Sequence, residues 1–390
     1  MVLKKPFAPF LIEWFEEHGR HLPWRVEYTS YRVWIAELML CQTQVSRVIP
    51  RYLEWMERFP NLFSLTRAPL EELLFLWRGL GYYARPHHIH RTAHLLVEKF
   101  QGEFPQDYQT LVTLPGIGQY VAGAILAIAY NLPYPAIDGN VKRVFARLYD
   151  LSFPLEKGKG QKFLFRLVSS RLLQENARSF TQGLMDLGAM VCTPRQPNCG
   201  QCPLKQWCLA CAQGTQEYRP VRISYNRRET EITMFLIHHQ GMILIRQRLK
   251  ERFLPNLWEI PWQESGSPET LYETVKEFTG ELTEVQKIGE FSHHYCNRLA
   301  TVHLYWGNAK TIRPTDSSPY RWETIAALKN RPFSSLHEKA LRMGEHFFFS
   351  QFDGGNRGNM GGLSIMENGE GQELPQGESR AEGIFLHFPR

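Results

Sequence analysis

Long hydrophobic runs are missing from this sequence. Its 390 residues are 43% hydrophobic and 22% charged, an ordinary mixture for a globular protein, and no stretch approaches the roughly 18 consecutive apolar residues that a membrane span needs. The first ten residues also lack the apolar core and cleavage site of a secretory signal. These absences exclude a membrane protein and predict one that stays inside the cell, with two or three domains of about 100 to 200 residues each.

Cysteine is scarce and unevenly distributed. Seven are present, and four lie within 17 residues: Cys192, Cys199, Cys202 and Cys208. Scattered disulfides are not expected in a reducing compartment, whereas four clustered thiolates can bind one zinc ion or one iron-sulfur cluster. Zinc sites usually pair two Cys-x-x-Cys units and only one is present, so the spacing favours iron-sulfur without excluding zinc. Cys211 is left as a spare thiol.

A large excess of one charge is also absent. The formal net charge is +6, and the last 40 residues hold six acids but only three arginines, so residues 1–350 carry +9. This excess is compatible with a polyanionic partner and equally with a merely basic enzyme.

The first 211 residues show no alternating strand pattern. Breaks marked by proline and glycine separate segments with i, i+3, i+4 apolar spacing, such as 32–59 and 120–130, which predicts a helical domain over 1–211. The polar and basic stretch 212–229 has no pattern and is typical of an interdomain linker.

After this stretch the hydrophobic period changes, which predicts a small α+β domain over 230–346. Its expected elements are a β-hairpin (232–248), a short strand (258–262), a capped helix (267–280), further strand (290–306) and a final helix (321–342). The glycine-rich tail 347–390 is expected to be disordered.

Two acids stand out in the helical half. Glu37 is the only charged residue in the apolar run 33–40, so burial should raise its pKa and keep it protonated, as a general acid requires; the alternative is a core glutamate paired with an arginine. Asp138 precedes a helical segment and has two possible roles, helix N-cap or the carboxylate that stabilises a sugar cation when a glycosidic bond breaks.

Six motifs occur in a fixed order: Glu37 with the MLCQTQV that follows it (39–45), GLGYYARPHHIH (79–90), LPGIG (114–118), IDGNVKRVFARL (137–148), MDLGAMVC (185–192), and the four cysteines with gaps of six, two and five. From about Phe7 to Leu341 they resemble the helix-hairpin-helix DNA glycosylases that carry a [4Fe-4S] cluster, and among these the MutY family of adenine DNA glycosylases. The resemblance implies an all-α helix-hairpin-helix glycosylase domain with an iron-sulfur loop, followed by an α+β Nudix-like domain.

The same resemblance implies roles for individual residues. Glu37 would protonate N7 of an extruded adenine, and Asp138 would stabilise the sugar cation with the support of Tyr120 and Asn140. The residues expected to line the adenine pocket are Arg20, Leu22, Trp24, Arg25 and Gln182. Those expected to contact DNA are Gln42 and Tyr82, as wedges in the base stack, and the hairpin glycines Gly116 and Gly118. The four clustered cysteines would bind the iron.

The second domain resembles the Nudix framework over 248–262, but Lys276 and Phe278 stand where the Mg²⁺-binding Nudix helix needs acids or neutral spacers. It is therefore expected to read DNA rather than to hydrolyse pyrophosphate. By resemblance, the residues that contact 8-oxoguanine, at a strand-to-turn junction, are Phe291, Ser292 and His293. Cys41 and Pro86–His88 depart from the family pattern, so nearby DNA contacts are expected to differ.

We therefore expect a monomeric, monofunctional base excision repair glycosylase that removes adenine opposite 8-oxoguanine or guanine in double-stranded DNA. It should carry one [4Fe-4S] cluster, have no membrane partner, and reside in the cytoplasm, at the nucleoid in a bacterium. The alternative is an endonuclease III-like glycosylase and lyase for oxidised pyrimidines, whose Schiff-base lysine would occupy the position of Tyr120. A non-catalytic cluster protein that binds DNA would not need both Glu37 and Asp138.

Overall fold

The computed structural model describes residues 7–172, 176–223, 228–249, 251, 254–295, 297–313 and 318–352. The chain divides into two compact units: Met1–Leu70 with Arg85–Ser224, and Glu71–Ala84 with Tyr225–Arg390. Residues 71–84 thus group with the second unit, and not with the helical domain expected over 1–211. No helix in the described ranges combines the length and the apolar character needed to cross a membrane.

The first unit is helical, as predicted. The helices of the N-terminal half of the chain are α1 (Ala8–His18), α2 (Ser30–Leu40), α3 (Val45–Arg58), α4 (Leu62–Arg67), α5 (Leu70–Leu76), α6 (Ala84–Phe100), α7 (Tyr108–Leu111), α8 (Gln119–Ala124), α9 (Gly139–Leu148), α10 (Gly158–Ser169), α11 (Ala177–Met190) and α12 (Leu209–Gln213). A π-helical turn, Ile125–Ala129, extends α8. Six of the seven residues of α5, Glu71–Leu76, belong to the second unit.

The core of this unit forms where α1, α9 and α11 present apolar residues at helical spacing. Phe7 lies with its ring centroid 6.3 Å from that of Phe145 and 6.1 Å from that of Phe180, and Leu11 and Leu184 pack beside them. Burying these side chains stabilises the unit by roughly 1.5 to 3 kcal/mol each. This core fixes the N-terminal end of α9 and one face of α11, the two elements that carry most of the candidate site.

Part of the predicted linker 212–229 is folded. A 3₁₀ turn at Gln216–Tyr218 follows α12, the Arg147 Nε donates to the Gln216 carbonyl oxygen (2.8 Å), and the Arg219 guanidinium pairs with Asp150 (2.8 Å). These contacts with Arg147 and Asp150 come from residues more than 60 positions away, so the local lack of pattern could not predict them. Of the remaining linker, residues 224–227 lie outside the described residues.

The second unit contains a mixed sheet. Its strands are β1 (Arg228–His239), β2 (Met242–Gln247), β3 (Trp258–Glu259), β4 (Trp262–Glu264), β5 (Leu282–Tyr295), β6 (Arg298–Ala309) and β7 (Tyr320–Thr324). The order is β3-β2-β1-β6-β5, with β4 beside β1 and β7 beside β2. Strands β1 and β6 are parallel, with Ile232 opposite Val302, and the other pairs are antiparallel.

Helices cover both faces of this sheet. The helices are α13 (Pro268–Thr279), α14 (Ile325–Leu328) and α15 (Ser335–Phe352). Leu271 and Val275 of α13 pack on one face, and Ala340 and Leu341 of α15 on the other. Because a strand buried on both faces must be apolar on both sides, residues 232–237 of β1 are all buried and, except for Thr233, all apolar.

The predicted hairpin and the predicted capped helix are confirmed; the Ser267 hydroxyl accepts a hydrogen bond from the Thr270 N–H at the start of α13. Two predictions were wrong in detail. The segment 258–262 forms two short strands, and the segment 321–324 is strand β7, not helix. Residues 347–352, predicted to belong to a disordered tail, form the end of α15; the rest of that prediction, 353–390, lies outside the described residues.

Candidate active site

Glu37 is buried on α2, with 4% of its surface exposed. The helix is capped by the Thr29 hydroxyl, and its buried face surrounds the carboxyl group with apolar side chains. Burial raises the pKa of Glu37 to about 7, assisted by the charge of Asp138, while a hydrogen bond from Tyr120 and the charge of Arg25 act against the rise. A carboxyl group with this pKa can hold and release a proton near neutral pH.

Tyr120 supplies the polar partner of Glu37. It lies on α8, and its hydroxyl donates a hydrogen bond to Glu37 Oε2. Burial and the nearby carboxyl groups raise the pKa of Tyr120 well above its usual range, so the hydroxyl stays protonated and remains a donor. The sequence suggested only that Tyr120 supports the sugar; the contact with Glu37 is an additional finding.

Asp138 is the N-cap of α9 and also lies in the neighbourhood of Glu37. One carboxyl oxygen accepts a hydrogen bond from the Val141 N–H (2.7 Å) and the other from the Asn140 side-chain amide (2.7 Å). Burial raises the pKa of Asp138 against these hydrogen bonds, and its charge in turn raises the pKa of both Glu37 and Tyr120. The two roles considered for Asp138, cap and site carboxylate, are therefore compatible.

Asn140 is held from the opposite side by Arg143. The Arg143 Nη2 donates to Asn140 Oδ1 (2.8 Å) and to the Gly188 carbonyl oxygen (2.6 Å), and its Nε donates to the Cys192 carbonyl oxygen (2.7 Å). At Gly188, a Cβ atom would come within 2.5 Å of the Asn140 side chain, so only glycine allows this approach of α11 to α9. Arg143 thus connects the residues around Asp138 to the cysteine segment.

The predicted adenine-pocket arginines meet one buried acid that sequence reasoning did not identify. Asp186, on α11, is fully buried and accepts hydrogen bonds from the guanidinium groups of Arg20 (2.6 and 2.9 Å) and Arg25 (2.7 and 2.9 Å). Burial alone would raise the pKa of Asp186, but the hydrogen bonds and charges of the two arginines hold it below its usual value. Asp186 is the only charged residue in the apolar stretch 183–190, the same signal that identified Glu37.

The remaining pocket candidates lie near this ion pair in the chain. Leu22 precedes a short 3₁₀ turn (Pro23–Arg25), Trp24 lies within it, and both are almost completely buried. The Trp24 ring packs edge-on against Tyr52, with centroids 5.3 Å apart. Gln182 is buried one helical turn before Asp186, and its amide nitrogen lies 3.2 Å from the hydroxyl oxygen of Tyr28. The structure therefore brings Arg20, Arg25 and Gln182 to one face of α11.

The two predicted wedge residues share an unusual backbone conformation. Gln42 and Tyr82 both have positive φ angles, 62° and 51°, a region that residues other than glycine seldom occupy. Tyr82 exposes 52% of its surface, so its ring is accessible to a binding partner. Gln42 lies in the first unit and Tyr82 in the second, and each is described only within its own unit.

The hairpin LPGIG turns sharply before α8. The Ile117 N–H donates to the Leu114 carbonyl oxygen (3.1 Å), and Gly116 has a φ of +76° and would place a Cβ within 2.6 Å of the His88 side chain. Gly118 is the N-cap of α8, and a Cβ there would meet only open space. The turn therefore requires Gly116, while Gly118 leaves room for a group that approaches the backbone N–H groups.

The four clustered cysteines lie in the segment that follows α11. Cys192 comes two residues after the end of α11, Cys199 begins a 3₁₀ turn that Cys202 follows, and Cys208 is the N-cap of α12. All four are half-buried and unbridged. The Arg147 Nη1 lies 3.3 Å from Cys192 Sγ, and the Cys208 thiol lies 3.4 Å from the Arg147 carbonyl oxygen.

The thiols also influence one another. The pKa of Cys202 is raised to about 12 and that of Cys208 to about 11, chiefly by burial and in smaller part by the nearby thiols of Cys192 and Cys199. Within the described residues no three metal-ligating side chains are placed to hold one single ion. Four half-buried thiols in one short segment, beside the Arg147 guanidinium, form the set of ligands that an iron-sulfur cluster requires.

The tripeptide predicted to read 8-oxoguanine lies inside strand β5, not at a strand-to-turn junction. Phe291 pairs with Val302, and Ser292 with Thr301, in the antiparallel ladder with β6. Because side chains alternate along a strand, Phe291 is buried while Ser292 is exposed. The Lys339 Nζ lies 3.4 Å from the Ser292 carbonyl oxygen and 4.6 Å from the centroid of the Phe291 ring.

Residues 35–158 match the HhH-GPD superfamily of base excision DNA repair proteins, residues 192–208 the iron-sulfur binding domain of endonuclease III, and residues 232–343 the NUDIX domain. With the helical unit and its buried carboxyl groups, these matches define a DNA glycosylase of base excision repair that carries a [4Fe-4S] cluster. The match to the iron-sulfur binding domain runs from Cys192 to Cys208, the first and the last of the four clustered cysteines.

Individual relatives identify the family. The chain is 41% identical over 305 residues to the adenine DNA glycosylase of Buchnera aphidicola subsp. Baizongia pistaciae, covering 77% of this chain and 85% of the relative. It is 30% identical over 401 residues to the human adenine DNA glycosylase, covering 86% and 73%. A solved thermostable thymine-DNA glycosylase is similar with a TM-score of 0.49 and 24% identity, over 53% of this chain and 95% of that one. The chain belongs to the adenine DNA glycosylase family.

Proposed function

We propose that this enzyme hydrolyses the glycosidic bond of adenine mispaired with 8-oxoguanine or guanine in duplex DNA and leaves an abasic site without cutting the strand. The observation that carries the proposal is the buried set of Glu37, Tyr120 and Asp138, in which one carboxyl group has a pKa of about 7 and a second is held by hydrogen-bond donors. Two carboxyl groups in different environments are what cleavage of a glycosidic bond requires.

Each step uses a group of this chain. Protonated Glu37 gives its proton to N7 of the extruded adenine, and the bond from sugar C1′ to N9 breaks with its electron pair moving into the base. The positive charge left on the sugar is stabilised by the Asp138 carboxylate, which Asn140 and the Val141 N–H orient. Water then adds at C1′ and its proton returns to Glu37. Extrusion is needed because the bond is not accessible within the base stack.

The cluster is proposed to be bound by Cys192, Cys199, Cys202 and Cys208. When bound, it supplies a rigid core for the segment 192–208, which has no regular helix or strand of its own beyond two 3₁₀ turns. The contacts of Arg147 with Cys192 and Cys208 and of Arg143 with Cys192 then tie this segment to α9, the helix that Asp138 caps.

The identity of Tyr120 supports base removal without strand cutting. A lyase needs an amine near the sugar to form a Schiff base, and the side chain that contacts Glu37 is a hydroxyl. The nearest lysine along α9, Lys142, has its Nζ 3.9 Å from Glu156. This arrangement supports simple hydrolysis over the endonuclease III-like alternative.

The test is an incubation with duplex DNA that contains adenine opposite 8-oxoguanine, analysed before and after alkali. The proposal predicts breakage at adenine only after alkali. Breakage before alkali would favour the lyase, and an intact adenine strand together with cleavage at an oxidised pyrimidine would overturn the substrate assignment.

The preference for 8-oxoguanine over guanine is proposed to depend on Phe291, Ser292 and His293 in β5. The exposed Ser292 hydroxyl can bond to the N7–H or O8 that distinguishes the two bases, so Ser292→Ala should narrow the ratio of the two dissociation constants several-fold, the value of one hydrogen bond. Both constants are measured at one salt concentration, since phosphate contacts dominate absolute affinity. An unchanged ratio in Ser292→Ala combined with His293→Ala would contradict this assignment.

A further inference from the structure

Three polar residues of α11 form a stripe that faces the segment 20–28. Arg178, Gln182 and Asp186 are spaced four residues apart, so they share one side of the helix. Asp186 holds Arg20 and Arg25, whereas Arg178 and Gln182 both contact Tyr28. Nothing in the family resemblance assigned a role to Tyr28.

Tyr28 is held in place by Arg178. The Arg178 guanidinium lies over the Tyr28 ring, 4.4 Å from its centroid, and its own position is fixed by hydrogen bonds to the carbonyl oxygens of Ile128 (2.6 Å) and Ala129 (2.9 Å). The Arg178 N–H also donates to the Asn131 side chain (2.9 Å). A cation over an aromatic face, anchored in this way, restrains the ring and therefore its hydroxyl.

The Tyr28 hydroxyl in turn orients the Gln182 amide. The Gln182 Nε2 donates to the Tyr28 oxygen across 3.2 Å. The other end of the amide, Oε1, accepts no hydrogen bond from the described part of the chain, and it is not among the fully enclosed side-chain atoms that lack a partner. Gln182 itself is 2% exposed, so the amide is fixed at one end and offers an acceptor at the other.

The end of the Gln182 amide that faces the extruded base determines which purine it can bind. An amide that rotates by 180° exchanges its acceptor for a donor. Adenine carries an amino group at C6, which donates, whereas hypoxanthine carries an oxo group at the same position, which accepts. An acceptor presented at this position therefore favours a 6-aminopurine, because a 6-oxopurine would leave two acceptors facing each other without a proton.

We propose that Tyr28 is a specificity-determining positioning residue, which fixes the Gln182 amide with Oε1 toward the extruded base and so selects a 6-aminopurine over a 6-oxopurine. The inference rests on the proposed adenine glycosylase function. It adds a residue that acts on the base only through Gln182.

Tyr28→Phe tests this role, because it removes the hydroxyl and keeps the ring on which Arg178 stacks. Single-turnover rates are measured for duplexes with adenine or hypoxanthine opposite the same base. The ratio of the two rates should fall about three- to ten-fold, which corresponds to one hydrogen bond. One preparation processes both duplexes, so a partly unfolded sample does not change the ratio.

Tyr149→Phe is the matched control. Tyr149 is also half-buried, its hydroxyl accepts a hydrogen bond from Arg171 Nε (2.8 Å), and the same guanidinium lies 6.0 Å from its ring centroid. It does not contact Gln182 in the described structure, so its variant should keep the wild-type ratio. In a Gln182→Leu background, where the ratio is already low, Tyr28→Phe should change it no further.

Three outcomes would overturn the inference: an unchanged ratio in Tyr28→Phe, an equal loss of both rates, or a full additional effect in the Gln182→Leu background. Each would show that Tyr28 does not act by orienting the amide. If the wild-type enzyme removes neither base, the proposed function fails instead, and the two failures are thereby distinguished.

Discussion

Two helices of the first unit each carry a single acid in an apolar stretch, and the two acids reach opposite electrostatic states. Glu37 on α2 and Asp186 on α11 are both buried. Glu37 receives a hydrogen bond from the neutral Tyr120 hydroxyl, and burial raises its pKa to about 7. Asp186 is held between the guanidinium groups of Arg20 and Arg25, and its pKa lies below the usual value.

The difference shows that the partner, and not the helix, decides what a buried acid does. A neutral partner leaves the carboxyl group able to hold a proton and to release it, as a general acid must. Two neighbouring guanidinium groups lower the pKa, so the carboxyl group stays ionised and cannot donate a proton. It instead anchors the segment that contains Arg20 and Arg25. Both partners come from distant parts of the chain, Tyr120 from 83 residues away and Arg20 from 166.

The largest expected effect is on catalysis. Glu37→Gln removes the transferable proton but preserves shape and polarity, so base removal should fall by about 10² to 10⁴ while duplex affinity stays within a few-fold. Glu98→Gln, at an exposed position of α6, is the control and should keep the wild-type rate. Single-turnover kinetics measure both, and a Glu37→Gln variant that retains more than about a tenth of the rate would contradict the role.

The next effect is on stability. Asp186→Asn leaves two arginines without their anion, and breaking a buried ion pair in this way typically costs about 3 to 5 kcal/mol of unfolding free energy. Glu54→Gln breaks the exposed pair with Arg51 and should cost less than about 1 kcal/mol. Urea denaturation compares the two variants. Equal losses would mean that Asp186 is not an anchor.

The two acids should also make the free energy of unfolding depend on pH in opposite directions. The pKa of Glu37 is raised, so its contribution is present below the ordinary value of 4.5 and is lost as the pH rises through about 7; the loss is on the order of 3 kcal/mol. The pKa of Asp186 is lowered, so its contribution is present above 3.8 and is lost as the pH falls through the lowered value. Unfolding free energies at pH 5 and pH 8 should differ less in Glu37→Gln than in wild type, and an identical pH slope would speak against the raised pKa.

The smallest effect concerns Tyr120. Its hydrogen bond lowers the pKa of Glu37, so Tyr120→Phe should move the alkaline limb of the single-turnover rate profile upward by no more than about one pH unit, the value of one hydrogen bond. A shift to lower pH would show that the hydroxyl does not stabilise the carboxylate.

The sequence identified Glu37 and Asp138 because each has a local signal, a lone acid in an apolar run and an acid before a helix. It did not identify Asp186 or Tyr28, nor the contacts that Arg143 makes with Asn140 and the cysteine segment. Asp186 has the same local signal as Glu37, but its two partners are far away in the chain, and the contact of Arg143 with Cys192 spans 49 residues. Such contacts are set by tertiary packing, which periodicity does not report.

The second unit also has features that the sequence did not predict. The tripeptide at 291–293 was placed at a strand-to-turn junction, but it lies inside β5, whose ladder with β6 has register shifts between Thr283 and Gln286 and between Lys287 and Gly289. Residues 71–84 group with this unit through contacts such as the hydrogen bond that the Tyr83 hydroxyl donates to the Phe333 carbonyl oxygen, 250 residues away in the chain. Neither feature has a local sequence signal.

The most direct test of the comparison is the titration of Glu37 itself. In protein labelled with ¹³C at glutamate carboxyl carbons, one resonance should titrate near pH 7, and it should be absent from Glu37→Gln. If every glutamate resonance of the wild-type enzyme titrates near 4.5, Glu37 is ionised at neutral pH, and it cannot be the acid that this account requires.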